Sequence, residues 1–301
     1  TKLKSIGESA FYNCTGLASI TIPASVTSIG RYAFYNCSGL TSITIPASVT
    51  SIGEYTFNNC TGLASVTIPA SATSIGKCAF YHCTGLTSID LSQATKLQAI
   101  GESAFDGCTA ATFITTTGSP ATAVKYNALT SIGLQAFCDC TGLKSFDISG
   151  ATGLTAIENR AFYNCSGLTS ITIPAAVTSI GYRAFYNCTG LKSFDISGAK
   201  DLTSIGDYAF ENCTGLTTVW LALMSKTPTL GNDVFLDTPS ALKFYVKDGT
   251  GTYDLTKYTS ATNWSSFATK TFRYLPKTMT ATKVATLYLP LQVAIPEDDT
   301  A

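Results

Sequence analysis

The spacing of cysteine constrains this chain more than any other feature. Nine cysteines recur along its first three quarters: Cys14, Cys37, Cys60, Cys83, Cys108, Cys140, Cys165, Cys188 and Cys213. Successive spacings are 23, 23, 23, 25, 32, 25, 23 and 25 residues. A repeated period in this range is typical of a solenoid, and it outweighs local propensity in predicting the fold.

Other residues keep the same period and predict what each repeat forms. Most repeats place a leucine three residues after the cysteine, then two apolar residues at alternating spacing, as in Leu40, Ile43 and Ile45. This alternation predicts a short strand with one face inward, which a proline such as Pro46 ends. A phenylalanine precedes each cysteine and also follows the last one: Phe11, Phe34, Phe57, Phe80, Phe105, Phe137, Phe162, Phe185, Phe210 and Phe235.

One such repeat cannot bury its own apolar residues, whereas stacked repeats can. We therefore predict a β-rich solenoid over residues 1–246, a right-handed coil of about nine repeats of 23–25 residues with short parallel strands. Residues 247–269 are predicted to form a C-terminal cap with Trp264 as its buried centre, because terminal repeats need a cover. Residues 270–301 are expected to form a short β extension or the start of a second β module.

Two recurrent runs carry a family resemblance. Asn-Cys-Thr-Gly-Leu-x-Ser-Ile-x-Ile-Pro and Ser-Ile-Gly-x-x-Ala-Phe return in many copies between about residues 3 and 246. They resemble the BspA-like leucine-rich repeat proteins of bacterial surfaces. The resemblance implies an extracellular or cell-surface protein of the binding type, and it supplies no particular ligand.

Charge and hydropathy exclude several classes of partner. Nineteen basic and nineteen acidic residues give a formal net charge of zero. A nucleic-acid partner is therefore not expected, since phosphate binding needs a basic face. No apolar run is long enough to span a membrane. No signal peptide is visible, so we interpret the chain as mature or trimmed, and we expect a monomer.

The cysteines are interpreted as buried free thiols. Identical coils hold equivalent sulfur atoms about one strand spacing apart, which is too far for a disulfide bond. Cys78 and Cys138 lie outside the nine-membered series. The Cys138-Asp-Cys140 pair has no second Cys/His pair at zinc spacing, so no metal site is predicted.

Several coils depart from the basic 23-residue unit. The fourth, sixth and eighth carry two extra residues after the strand, beside Asp90, Asp147 and Asp195. The fifth has Ala111 in the leucine column and an excess within residues 117–128, which we predict to be a protruding loop. Such loops lie on one face of a solenoid and often bind, although a tolerated surface insertion is the favoured explanation of this one.

A column of outward strand positions supplies the candidate binding residues. It contains Thr21, Thr44, Thr67, Asp90, Thr115, Asp147, Thr172, Asp195 and Trp220. The non-threonine members and the threonine between them are the tentative binding residues: Asp90, Asp147, Thr172, Asp195 and Trp220. Threonine also suits an exposed strand without any binding role, and Trp220 is also compatible with packing under the cap.

Two further columns flank the cysteines. Tyrosines such as Tyr12, Tyr35 and Tyr163 are predicted to be partly buried at a coil corner, with a sugar-binding platform as the alternative. The asparagines that follow them are predicted to form a ladder that bonds backbone groups of the turns.

Catalysis has little support in the sequence. The single histidine, His82, stands in the asparagine column without an evident acid–base partner, and no nucleophile elbow or phosphate loop is present. We predict no catalytic residue, cofactor or metal, and no enzymatic activity. The favoured function is a surface interaction module, adhesin-like, that binds a host or microbial protein or glycan. The alternative is a structural stalk that presents another domain.

Overall fold

The computed structural model describes residues 2–114, 126–222, 227–247 and 272–275. Within these residues the chain is a parallel β-solenoid that contains strands and turns but no helix. The predicted fold is confirmed. Ten coils are present rather than about nine, because the segment around Leu230 and Phe235 forms both strands of a further coil. Coils are numbered here from the Ser-Ile strand that begins each one.

Each coil contributes its first strand to one side of the solenoid. The strands of this first side are β1 (Ser5–Ile6), β3 (Ser28–Ile29), β5 (Ser51–Ile52), β7 (Ser74–Ile75), β9 (Ala99–Ile100) and β11 (Ser131–Ile132), followed by β12 (Ala156–Ile157), β14 (Ser179–Ile180), β16 (Ser204–Ile205) and β18 (Thr229–Leu230). They form one six-stranded and one four-stranded parallel sheet, because β11 and β12 do not pair.

The alternating Ser-Ile-Thr segments form the second side. Its strands are β2 (Ser19–Ile20), β4 (Ser42–Ile43), β6 (Ser65–Thr67), β8 (Ser88–Asp90) and β10 (Thr112–Ile114), followed by β13 (Ser170–Thr172), β15 (Ser193–Asp195), β17 (Thr218–Ala222), β19 (Lys243–Lys247) and β20 (Phe272–Leu275). These also form two parallel sheets, of five strands each. β20 pairs in parallel with β19.

The phenylalanine and cysteine columns run through the centre of the solenoid. Successive phenylalanine rings stack nearly parallel, as for Phe162 and Phe185, whose centroids are 5.3 Å apart. All eleven cysteines are free, and all but Cys14 are buried, which confirms the free-thiol interpretation. Each thiol of the column from Cys37 onward donates to the phenylalanine carbonyl of the preceding coil; Cys165 Sγ, for example, lies 3.0 Å from the Phe137 oxygen. Cysteine therefore supplies both a small apolar side chain and a buried donor.

In most coils after the first, the glycine that follows the first-side strand is required by the approach of the preceding coil. A Cβ atom at Gly30 would lie 2.6 Å from the Glu8 nitrogen, closer than real Cβ contacts. Coil 7 carries Glu158 at this position, which follows β12 directly. β12 is also the strand that fails to pair with its predecessor, and we attribute this to the Glu158 side chain. We call this interruption the seam.

The fifth coil differs in detail from the prediction. The register pairs Ile114 with Asp90, so Ile114 and not Thr115 occupies the outward column. Coil 5 thus lacks one residue after Ala111, which itself is buried in the leucine column as predicted. Tyr126, placed in the predicted loop, is fully buried and stacks on Phe146 with a centroid distance of 5.3 Å. Residues 115–125 of that loop, and most of the predicted cap with Trp264, lie outside the described residues.

Candidate interaction surface

The outward strand column is partly assembled as predicted. Thr172, Asp195 and Trp220 are register partners on three adjacent strands. Trp220 is half-buried and stacks on Tyr245, the next member of the column, with ring centroids 4.8 Å apart. Asp90 lies on the other sheet of this side, and Asp147 lies in coil 6 between the two sheets. The structure therefore brings three of the five candidate residues together.

The three aspartates have a local structural task. Oδ1 of each accepts a hydrogen bond from the backbone N–H two residues later, at 2.8 Å for Asp90, 2.9 Å for Asp147 and 2.8 Å for Asp195. Such side-chain bonds form an Asx turn. Aspartate thus begins the longer turn of the 25-residue coils, which explains why it occurs in those coils and why threonine occupies the column elsewhere.

A third surface lies between the two strand sides, at the turns that hold the phenylalanines. We call it the corner surface, and it is formed by the residues two before, one after and two after each phenylalanine. In most coils the first and third of these positions have left-handed backbone angles, with φ of 55° at Tyr55 and 54° at Asn164. Asparagine, aspartate and glycine tolerate this conformation best, which explains the asparagine column.

The asparagine side chains bond to one another rather than to backbone groups of the turns, so that the predicted partner was wrong. Asn59 Nδ2 donates to Asn36 Oδ1 at 2.7 Å, and Asn187 Nδ2 donates to Asn164 Oδ1 at 2.6 Å. This amide ladder is interrupted where Gly107 stands in the column. A Cβ at Gly107 would lie 2.5 Å from His82 Cδ2, so the glycine makes room for the exposed imidazole.

Tyrosines cluster at two places on the corner surface. The N-terminal patch consists of Tyr12, Tyr32, Tyr35, Tyr55 and Tyr81, which line an open groove of about 740 Å³. Arg31 lies over the Tyr32 ring, with Cζ 4.8 Å from its centroid. The same guanidinium pairs with Glu54, at 3.4 Å from Nε to Oε2. Lys77 and Glu102 form a second pair at 3.0 Å, so the basic groups beside this patch are neutralised.

The C-terminal patch consists of Tyr163, Tyr182, Tyr186 and Tyr208 with Arg160 and Arg183. The Arg183 Cζ lies 5.1, 4.9 and 5.2 Å from the ring centroids of Tyr182, Tyr186 and Tyr208. The rings of Tyr163 and Tyr186 stack at 4.9 Å. Burial raises the pKa of the Tyr163 phenol, so that it stays neutral at physiological pH.

A polar cluster lies between the two patches. Donor atoms of Asp106, Cys138 and Asp139 lie within 4.8 Å of one another. Burial raises the pKa of the Asp106 carboxyl and of the Cys138 thiol, and the protonated thiol lies 3.5 Å from Asp139 Oδ2. Cys140 points elsewhere and donates to the Phe105 carbonyl at 3.1 Å. A cation held by the cluster would have to displace the thiol proton, so we interpret the cluster as a hydrogen-bonded link across the interrupted ladder.

The arginines of the C-terminal patch were not among the predicted site residues. Their column, two residues before the phenylalanine, contains serine, tyrosine, cysteine, glutamine, arginine and aspartate, so its side chains show no repeat. The signal available in the sequence was the coincidence of Arg160 and Arg183 with Tyr163 and Tyr186 three residues later.

No helix of the described residues has the length and hydropathy needed to cross a bilayer. Among solved structures, the chain is similar to a leucine-rich repeat protein from Bacteroides ovatus, with 24% identity over 91% of this chain and 88% of that one, and a TM-score of 0.41. It is also similar to a leucine-rich cell surface protein from Faecalibacterium prausnitzii, with 29% identity over 83% of this chain and 70% of that one, and a TM-score of 0.43.

A search of curated protein sequences found no significant match. The profile described as BspA type Leucine rich repeat region, in contrast, matches residues 4–129 and 130–259. These two matches cover most of the chain. The chain therefore belongs to the BspA-type leucine-rich repeat family.

Proposed function

We propose that this chain is an extracellular, cell-surface interaction module that binds a partner protein through its corner surface. The observation that carries the proposal is the concentration of tyrosine and arginine in the C-terminal patch. These residue types dominate the energetics of protein interfaces, because they bury a large area and still form hydrogen bonds. The similarity to a leucine-rich cell surface protein supports the location.

A glycan partner is less well supported by the same geometry. Sugars bind aromatic side chains through a free ring face. In the C-terminal patch Tyr163 and Tyr186 stack on each other, and the arginines lie over the rings of the remaining tyrosines. A platform of exposed ring faces is therefore not presented, and a protein that contacts ring edges, phenol groups and guanidinium groups fits better.

The stalk remains the second candidate for the first three coils. Their strand and turn sequences are nearly identical, and Arg31 beside them is already paired with Glu54. These coils would hold the C-terminal patch away from the point of attachment. A binding role is proposed instead of catalysis, because the only histidine is exposed and stacks on Tyr81 with ring centroids 4.2 Å apart.

An array of extracellular host and bacterial proteins, probed with the purified chain, would test the proposal. The variant Tyr182→Asn/Tyr186→Asn removes two rings of the C-terminal patch. Asparagine is accepted at both positions of the repeat, because Asn159 occupies the position of Tyr182 in coil 7 and Asn58 that of Tyr186 in coil 3. We expect the variant to lose binding at least about tenfold, which is the cost of about 1.4 kcal/mol.

The matched control is Tyr35→Asn in the N-terminal patch, with thermal melts to confirm folding of both variants. Binding that persists in the double variant but disappears in Trp220→Ser would move the site to the second strand side. If the folded wild-type chain captured no protein on the array, the result would favour the stalk.

A further inference from the structure

The two guanidinium groups of the C-terminal patch are held in place by aromatic rings. Arg183 contacts three tyrosine rings at about equal distance, and Arg160 lies 5.6 Å from the Tyr182 centroid and 6.0 Å from that of Tyr163. Cation–π contacts of this kind fix the plane of the guanidinium. Less side-chain entropy is then lost when a ligand binds, so the geometry favours affinity.

Neither group has an anionic partner. Among the described residues, no carboxylate oxygen lies within 4.0 Å of the Arg160 or Arg183 guanidinium, whereas Arg31 has one at 3.4 Å. Nε of both arginines is buried without a hydrogen-bond partner. A buried donor that is left unsatisfied costs free energy.

The nearest acidic groups of the surface do not fill this role. Asp207 uses Oδ1 to accept a hydrogen bond from the Asn232 N–H at 2.7 Å. Glu211 stands in the tyrosine column next to Tyr186, and its Oε2 is likewise buried without a partner. Among the described residues Glu211 thus forms no ion pair with either arginine, and the two guanidinium groups belong to adjacent coils.

We propose that the C-terminal patch binds an acidic, extended segment of a partner protein, with one carboxylate at Arg160 and a second at Arg183. This inference rests on the proposed function and specifies its ligand. Arginine presents a planar pair of donors that matches a carboxylate in bidentate geometry. The two guanidinium groups belong to neighbouring coils, about one strand spacing apart, so closely spaced Asp or Glu side chains reach both.

An experiment with defined peptides tests the assignment. The probe is a fluorescent twelve-residue peptide of alternating Asp and Gly, and its reference is the Asn/Gly peptide of the same length. Binding is measured by fluorescence polarisation at low and at physiological salt. We expect the Asp/Gly peptide to bind and the Asn/Gly peptide not to bind. The affinity of the Asp/Gly peptide should fall as salt screens the charges.

The decisive variant is Arg160→Gln/Arg183→Gln. Gln135 occupies the same column in coil 6 with φ of 57°, so the fold accepts glutamine there. We expect the double variant to bind the acidic peptide at least about tenfold more weakly. Arg31→Gln, which removes one positive charge beside the N-terminal patch, is expected to leave the affinity unchanged.

Three outcomes would overturn the inference. These are equal binding of the two peptides, equal loss in Arg31→Gln, and binding of a sulfated heparin fragment in place of the acidic peptide. The last would assign the arginines to an acidic glycan. If the peptide fails but Tyr182→Asn/Tyr186→Asn still abolishes capture of a protein on the array, only the acidic ligand is wrong and the proposed function stands.

Discussion

At the scale of single residues, the corner surface is governed by backbone conformation. Positions such as Asn187 have left-handed angles, which cost about 1–2 kcal/mol for most side chains. Asparagine reduces this cost, and the Asn187 amide also donates to Asn164 of the preceding coil. The sequence showed the asparagine column but not its dihedral angle, so the bonding partner of the amide could not be predicted from it.

Substitution at Asn187 separates the two contributions. Glycine removes the amide but tolerates the left-handed angle, as Gly107 does in the same column with φ of 76°. Asn187 donates one side-chain hydrogen bond to Asn164 and accepts one from Asn212. We expect Asn187→Gly to lower the free energy of unfolding by about 2 kcal/mol, the net value of two hydrogen bonds. Asn187→Ala should lower the free energy of unfolding by about 1 kcal/mol more, because alanine disfavours the left-handed backbone angle. Urea denaturation measures both; equal losses would show that the angle contributes nothing.

At the scale of elements, the periodic columns predicted which segments become strands, and the register confirms them. Two departures were visible in the sequence, although their consequences were not. Glu158 replaces a glycine, and only the stacked coils show that an added Cβ at the equivalent glycines, such as Gly30 and Gly133, would meet the backbone of the preceding coil. Asp147 stands in an outward strand position, and only the following turn shows that its carboxylate accepts the Ser149 N–H.

Glu158→Gly should close the seam. With the side chain removed, the backbone of coil 7 can approach coil 6 as the other coils do, and β11 and β12 can pair. We expect slower hydrogen exchange of the residue-158 amide, by about tenfold for each 1.4 kcal/mol gained. Gly181→Ala, one coil further on, is the opposite change and should accelerate exchange at residue 181, because its Cβ would lie 2.6 Å from the Asn159 nitrogen. Unchanged exchange at residue 158 would mean that another feature separates the strands.

At the scale of the whole molecule, the core is one continuous column of stacked rings and thiols. The rings of Phe137 and Phe162 stack at 5.2 Å across the seam, so the interior is uninterrupted even where one sheet ends. The period alone predicted this continuity. The period could not predict the location of the C-terminal patch, because ion pairing depends on distances between side chains of different coils. Both patches combine tyrosine and arginine, and they differ in whether a carboxylate pairs with the arginine.

The thiol column makes stability sensitive to alkaline pH. Burial raises the pKa of Cys60 and of Cys213 from 9.0 to about 12. The folded state therefore keeps the proton while the unfolded chain loses it, and stability that is complete below pH 9 is lost progressively between about pH 9 and 12. Each such thiol should contribute a slope of about 1.4 kcal/mol per pH unit in that window.

Urea denaturation at pH 7, 9 and 10 measures this slope. Cys60→Ala should reduce it by the contribution of one thiol, whatever the variant does to stability at pH 7. Val49→Ala, an equally buried truncation that removes no thiol, serves as the control and should leave the slope unchanged. A wild-type chain whose stability is constant between pH 7 and 10 would contradict the burial of the thiols.

The seam also has a mechanical consequence. Backbone hydrogen bonds between coils run along the axis of the solenoid, so a pulling force applied at its two ends is carried by every junction in series. The junction between coils 6 and 7 lacks the strand pairing that the others have on the first side, and it should yield before them. Tension would then extend the molecule just ahead of Arg160, leaving coils 7 to 10 folded and still attached to whatever they hold.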